Sequence, residues 1–287
     1  MKETASKIIL FITLSLVFIS CNSQEKNDWH QAKEPLLKNK VYKQDGKTVY
    51  YFDRSIKIKD REAMINRCKG HIKDNLHIIN ESELSDSIQI IFTQDREENF
   101  EFTGWKNIAG IYIPPIGAGI STVLCVYGDK CPIKHELMHL VSSCKWKDVA
   151  DGNSQSWLNE GLATYAAPDA ECDDYSFEEK YVAILYDNKL VTIDSLVENF
   201  HQKIDQEDLN LIKIKIHYNQ SAYMVQYMIE NYGIEKVKEL WQNGMHKFED
   251  IFGVTIYTMV DDIEKKLREK YPEPIEFDWK KFEEKCY

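Results

Sequence analysis

Residues 135–139 read His-Glu-Leu-Met-His. On an α-helix, positions four apart project from one face, so His135 and His139 can offer two imidazole nitrogens to a single metal ion. Glu136 lies about 100° further round such a helix, where its carboxylate reaches water beside the metal rather than the metal itself. Glu160 follows in the segment Trp157-Leu158-Asn159-Glu160-Gly161-Leu162-Ala163-Thr164-Tyr165. A carboxylate on a second short helix completes a His₂Glu set and leaves a fourth coordination position open. That is the geometry of a catalytic zinc rather than a structural one, which closes all four positions with protein ligands. The competing reading is a buried amphipathic helix whose histidines are satisfied by hydrogen bonds alone.

Positioning these residues requires a buried helix, and the flanks supply one: Ile133, Leu137, Leu140, Val141 and Cys144 form an apolar stripe at helical spacing. Upstream, short β-branched or aromatic runs predict strands at 49–52, 56–58, 87–92, 111–113 and 122–127, with Pro114-Pro115 separating the last two. A helical spacing interrupts them at 61–79, through Met64, Ile65, Cys68, Ile72 and Leu76. From Cys131 onward the spacing becomes helical, over 132–145, 155–167, 176–187, 191–201, 218–231, 234–242 and 258–270. Gly233 stands where a helix ends in a left-handed turn. The expectation is an α+β domain over residues 41–287. A β-rich part at 41–130 precedes a helical part at 131–287, with the site where the two meet. The strand at 122–127, just ahead of the His-Glu helix, is expected to present an edge to an extended peptide.

His135-Glu136-Leu137-Met138-His139 followed by Trp157-Leu158-Asn159-Glu160-Gly161-Leu162-Ala163 resembles the gluzincin metallopeptidases, with a texture closest to the peptidase-MA-like families. The resemblance covers about residues 120–270 and implies a zincin-like fold. It implies His135, His139 and Glu160 as zinc ligands and Glu136 as general base. The segment from Tyr218 through Met228 to Tyr232-Gly233 is similar to the helix carrying the family's transition-state tyrosine. On that match Tyr218 donates a hydrogen bond to the developing oxyanion, with Tyr223 and His217 as candidates for the same role. Two features depart from the pattern. Ile116-Gly117-Ala118-Gly119-Ile120 replaces the aminopeptidase substrate-anchoring motif, and Thr164 stands where some relatives carry an aspartate that orients a ligand histidine.

The N-terminus differs in kind. Lys2 and Lys7 precede an apolar run over residues 8–19, followed by Ser20 and Cys21, the pattern of a secretory signal. The apolar run falls short of the 20 or so residues of a comfortable membrane span. Phe18-Ile19-Ser20-Cys21 resembles a bacterial lipobox, which implies lipidation of Cys21; a plain signal peptide is the alternative. The expected division is a signal peptide at 1–20, a lipid-anchored flexible tether at 21–40 and the domain beyond, exported to the cell envelope and facing periplasm or surface. Six further cysteines, at 68, 125, 131, 144, 172 and 286, suit an oxidising compartment. Cys125 with Cys131, and Cys144 with Cys172, are either local disulfides or free buried thiols. No CxxC pair occurs, which argues against a cysteine zinc cluster.

A hydrophobic share of 43% and a charged share of 29% describe an ordinary globular chain. The formal net charge of −11 makes nucleic acid and anionic lipid surfaces poor partners, so membrane contact is expected through the lipid anchor only. A monomer acting on peptide or protein substrates is the simplest expectation. The competing readings are a non-catalytic envelope lipoprotein that binds a partner or peptide, and a zinc hydrolase of a non-peptide substrate. Intact Glu136 argues against the first; the second shares the same metal chemistry.

Overall fold

The computed structural model describes residues 34, 36–84, 86–105, 108–115, 120–128, 132–147, 155–168, 173–198 and 211–283. The segment expected as a signal peptide and Cys21 lie outside the described residues, as do residues 116–119. The stretch expected as tether includes packed residues near its end. Leu36 and Leu37 pack on a small cluster of Ile91, Phe102 and Leu124, and the buried Lys40 ammonium donates to the Phe92 carbonyl and to Glu98. Burying an ammonium is costly without such partners, so Lys40 belongs to the packed domain.

β1 (Val41–Asp45) and β2 (Thr48–Phe52) form an antiparallel hairpin with Asp45 opposite Thr48. Its turn needs Gly46 at φ 60, a left-handed conformation glycine adopts without a Cβ clash. The polar face of β1 hid this strand from pattern reading. The expected strand at 56–58 does not form. Ser55 N–H donates to Asp53 Oδ1 and Ile56 N–H to the Asp53 carbonyl, turning the chain into α1 (Ile58–Ile78). Ile56 is buried in that turn whereas Ile58 is exposed on the helix, so the apolar alternation marked a helix entry. β3 (Ile88–Thr93) is buried at every position and pairs in parallel with β2. It leads to the unanticipated α2 (Arg96–Thr103), capped by Asp95 accepting from the Glu98 N–H.

β4 (Gly110–Ile113) and β5 (Ser121–Val126) complete a five-stranded sheet of order β1-β2-β3-β5-β4. β5 is parallel to β3 and antiparallel to β4. The strand at 122–127 is therefore interior, and the expectation that it presents an edge is overturned: the edge on its side of the sheet is β4. A strand whose residues are almost all buried, as in β5, is one with neighbours on both sides.

The rest is helical: α3 (Ile133–Trp146), α4 (Ser156–Ala166), α5 (Phe177–Tyr186), α6 (Ile193–Glu198), α7 (Leu211–Tyr232), α8 (Ile234–Asn243), α9 (Phe248–Phe252), α10 (Ile256–Lys270) and α11 (Trp279–Glu283). A 3₁₀ turn, Met245–Lys247, links α8 to α9. The fold is α+β, with the sheet first and a mostly helical C-terminal part. One core cluster joins the parts, running from Phe52, Ile90 and Val123 in the sheet to Leu137, Trp157, Val225 and Ile263 in the helices.

Among the described residues no helix is long and apolar enough to cross a membrane. Cys68 and Cys144 are free thiols, so the Cys144–Cys172 staple is not formed. Cys125 is disulfide-bonded, with its partner outside the described residues.

Candidate metal centre

α3 begins at Pro132 without any side-chain cap. Its placement comes from burial instead. Leu137, Leu140, Val141 and Trp146 are fully buried, and each apolar side chain so buried contributes roughly 1.5–3 kcal/mol relative to exposure. Two contacts set its ends. Asn75 of α1 donates to the Lys134 carbonyl at 3.0 Å, and Trp146 packs edge-on against Trp241 of α8.

α4 is carried by Trp157, Leu158 and Leu162, all fully buried. Gly161 sets how close α4 comes to α7. A Cβ there would lie 2.8 Å from the Ser221 backbone oxygen, so glycine is the residue that permits the approach. The approach also bears on where neighbouring side chains stand. Glu160 is the neighbour of Gly161, and Tyr218 lies one turn before Ser221 and Ala222 on the face of α7 turned toward α4.

Three donor atoms converge where α3 meets α4. His135 Nε2 lies 3.1 Å from Glu160 Oε2, His139 Nε2 lies 3.3 Å from the same oxygen, and the two imidazole nitrogens are 3.1 Å apart. Zinc with nitrogen or oxygen ligands at about 2.0–2.1 Å in a tetrahedron places neighbouring ligands about 3.3 Å apart, so the donor triangle has the dimensions such an ion requires. This group could hold a metal ion, and two imidazoles with one carboxylate are donors zinc favours. All three side chains are nearly buried, with His135 the most open at 15%.

The electrostatics are those of a site built to hold unlike charges together. Burial opposes charge on His139, but the Glu160 carboxylate outweighs it and raises that imidazole to about 9. Burial likewise penalises charge on Glu160, yet the charge of His139 and hydrogen bonds from both histidines keep its carboxyl well below the usual range. Glu136 is pushed up by burial, against the charges of His135 and His139, and it accepts a hydrogen bond from the Tyr112 backbone N–H.

Asn159 was not anticipated as part of the site. His139 Nδ1 donates to Asn159 Oδ1 at 2.8 Å, which holds the tautomer that leaves Nε2 free to ligate. Thr164 takes no such part; its buried hydroxyl has no hydrogen-bond partner among the described residues. The only sequence signal for Asn159 was its place beside Glu160, because its partner on α3 is a tertiary contact.

The three oxyanion candidates separate by helix geometry. The Tyr218 ring meets the His135 ring edge-on, with centroids 6.0 Å apart. Tyr223 lies five residues on, about 140° round the helix. It packs against Tyr181 and donates to Glu178, in a cluster with Lys270 and Tyr271. His217 Nδ1 donates to the Lys213 carbonyl of its own helix at 2.6 Å.

The Peptidase MA superfamily profile matches residues 76–263, from the end of α1 into α10. The chain belongs to the Peptidase MA superfamily, and its scaffold is peptidase-like. No curated protein matches the sequence.

Proposed function

We propose that the protein is a gluzincin-type, zinc-dependent peptidase, with His135, His139 and Glu160 as metal ligands, Glu136 as general base and Tyr218 as oxyanion donor. The observation that carries this reading is the His135–His139–Glu160 triangle at 3.1–3.3 Å, with Glu136 beside it on α3 and Tyr218 against His135. A bound zinc ion supplies Lewis acidity there, bringing the pKa of water toward about 7 and polarising a carbonyl.

Glu136 takes the proton of the attacking water and delivers it to the leaving amine, the two roles of one carboxylate in peptide hydrolysis. The Tyr218 hydroxyl donates to the carbonyl oxygen as it gains charge. Asn159 holds His139 in register, and the buried walls keep bulk water from weakening these interactions. The edge strand β4 is the place for an extended substrate chain. Val126 N–H donates to the Ala109 carbonyl, so by the alternation of an antiparallel ladder Gly110 and Tyr112 turn their backbone groups outward; the Tyr112 N–H is taken by Glu136, and the other outward groups are left for the substrate.

The substrate class is peptide or protein. The acidic chain is exported and tethered by lipid at Cys21, acting as a monomer without nucleic-acid partners; substitution of Cys21 by Ser would move it from the detergent to the aqueous phase. The central test is metal analysis of the purified protein beside His139→Ala and Glu160→Ala, with a quenched-peptide assay. About one zinc per chain, lost in both variants together with chelator-sensitive cleavage, supports the assignment. Zinc without cleavage overturns the peptidase reaction, and no zinc overturns the site.

A further inference from the structure

Gly110 is a glycine whose backbone does not call for one. It lies in the regular strand β4, outside the set of glycines at positive φ, so any L-residue could adopt its conformation. Gly110 is the first residue of β4, paired with Cys125, and a glycine in a paired position loses more conformational entropy than other residues and packs nothing. The reason for its presence is therefore space. A Cβ at Gly110 would stand 2.9 Å from Glu136 Cγ, 3.1 Å from Glu136 Oε1 and 3.0 Å from Pro132 Cγ. Two of the three nearest atoms belong to one side chain, and that side chain is the one beside the metal-binding triangle.

The same strand also holds the far end of Glu136. Tyr112 is the next residue of β4 with outward-turned backbone groups, and its N–H donates to the Glu136 carboxylate. α3 presents Glu136 in its first turn and β4 receives it, with no side chain at 110 and a donor at 112.

We infer that Gly110 is a positioning residue for Glu136: the missing Cβ is the slot through which the carboxylate reaches the Tyr112 N–H and is held beside the His135–His139–Glu160 group. The inference rests on the peptidase reading for its catalytic consequence, but the contact itself does not depend on activity. A Cβ at 110 pushes the Glu136 stem aside and breaks or lengthens the Tyr112 hydrogen bond. The metal ligands, which lie on α3 and α4 and do not touch Gly110, stay in place.

A double-mutant cycle on the intact protein separates this role from general packing. Gly110→Ala is measured alone, in Glu136→Ala and in Glu136→Gln, for thermal midpoint, zinc content, kcat and KM. The expected result is a kcat loss of about tenfold or more in Gly110→Ala, since misplacement by about 1 Å can cost that much or more, with KM and zinc content nearly unchanged. Added to Glu136→Gln, the same substitution should cost no further activity, because a residue that acts through another has nothing left to disturb. The midpoint lost on Gly110→Ala should largely return in the Glu136→Ala background, where Cγ and Oε1 are gone.

An equal drop in midpoint in both backgrounds would assign Gly110 to packing on Pro132 and overturn the inference, as would an unchanged kcat. If Gly110→Ala alone does not fold, recovery of a folded protein by adding Glu136→Ala supports it, and failure of the pair overturns it. If the wild-type protein cleaves no peptide, the peptidase reading fails while the midpoint cycle still decides the Gly110–Glu136 contact.

Discussion

In the proposed reading Glu136, Asn159 and Tyr218 each do a different physical job, and substitutions at each should fail in a different way. Replacing Glu136 by Gln keeps the shape and removes the base. Zinc should stay bound while kcat falls about 10²–10⁴-fold, read by metal analysis beside steady-state kinetics. Asn159→Ala leaves all three donors intact but frees the His139 ring, so zinc affinity should weaken about 10–100-fold in a competition titration with a coloured chelator. Tyr218→Phe removes one donor to a developing charge; kcat should fall about 10²–10³-fold with KM little changed. The matching Tyr223→Phe change should leave kcat near wild type, because that hydroxyl is directed at Glu178. If the two tyrosine variants behaved alike, the assignment of Tyr218 would be wrong. All three roles concern residues within or next to motifs visible in the chain, yet Asn159 could be assigned only once its 2.8 Å contact to His139 was known.

The elements matter through how closely they approach. α4 and α7 meet at Gly161 and Ser221, and the fit there carries Glu160 toward the histidines and Tyr218 toward His135. Gly161→Ala forces the helices apart against a backbone atom that cannot rotate away. The expected loss is about 1–3 kcal/mol of stability in denaturant unfolding, with weakened zinc binding as the triangle opens. A substitution that left both unchanged would mean that α4 is positioned by Trp157, Leu158 and Leu162 alone. The sheet shows the same logic from the other side. Pattern reading marked 122–127 as the strand next to the site, because it precedes α3 in the chain. Order along the chain and order across the sheet are separate properties, and β4 crosses to the edge beyond β5.

At the scale of the whole molecule, the site joins parts that come from distant stretches of the chain: α3, α4, α7 and the edge of the sheet. A zinc ion that binds the folded arrangement and not the unfolded chain stabilises the entire domain. At free zinc about 1,000 times its dissociation constant the linkage is about 4 kcal/mol. Stripping the metal with a strong chelator should therefore lower the thermal midpoint, and re-addition of zinc should restore it. His139→Ala should show the lower midpoint from the start and no response to chelator. The acidic composition and the large core cluster joining sheet to helices are properties of this same scale; charge was legible from composition, whereas the continuity of that cluster was not.

By itself the sequence determined that His135 and His139 share a helix face wherever that helix lies, and it determined the α+β order through a shift from alternating to three-and-four spacing. Local periodicity suffices for both. It misread 56–58, where alternation over three residues cannot distinguish a strand from a helix entry. It missed β1 and α2, whose polar faces leave little pattern. Only the tertiary structure decided which strand forms the edge, which tyrosine faces His135, that Asn159 orients His139, and why residue 110 is a glycine. Each of these depends on the distance between atoms far apart in the chain, which packing determines and periodicity does not encode.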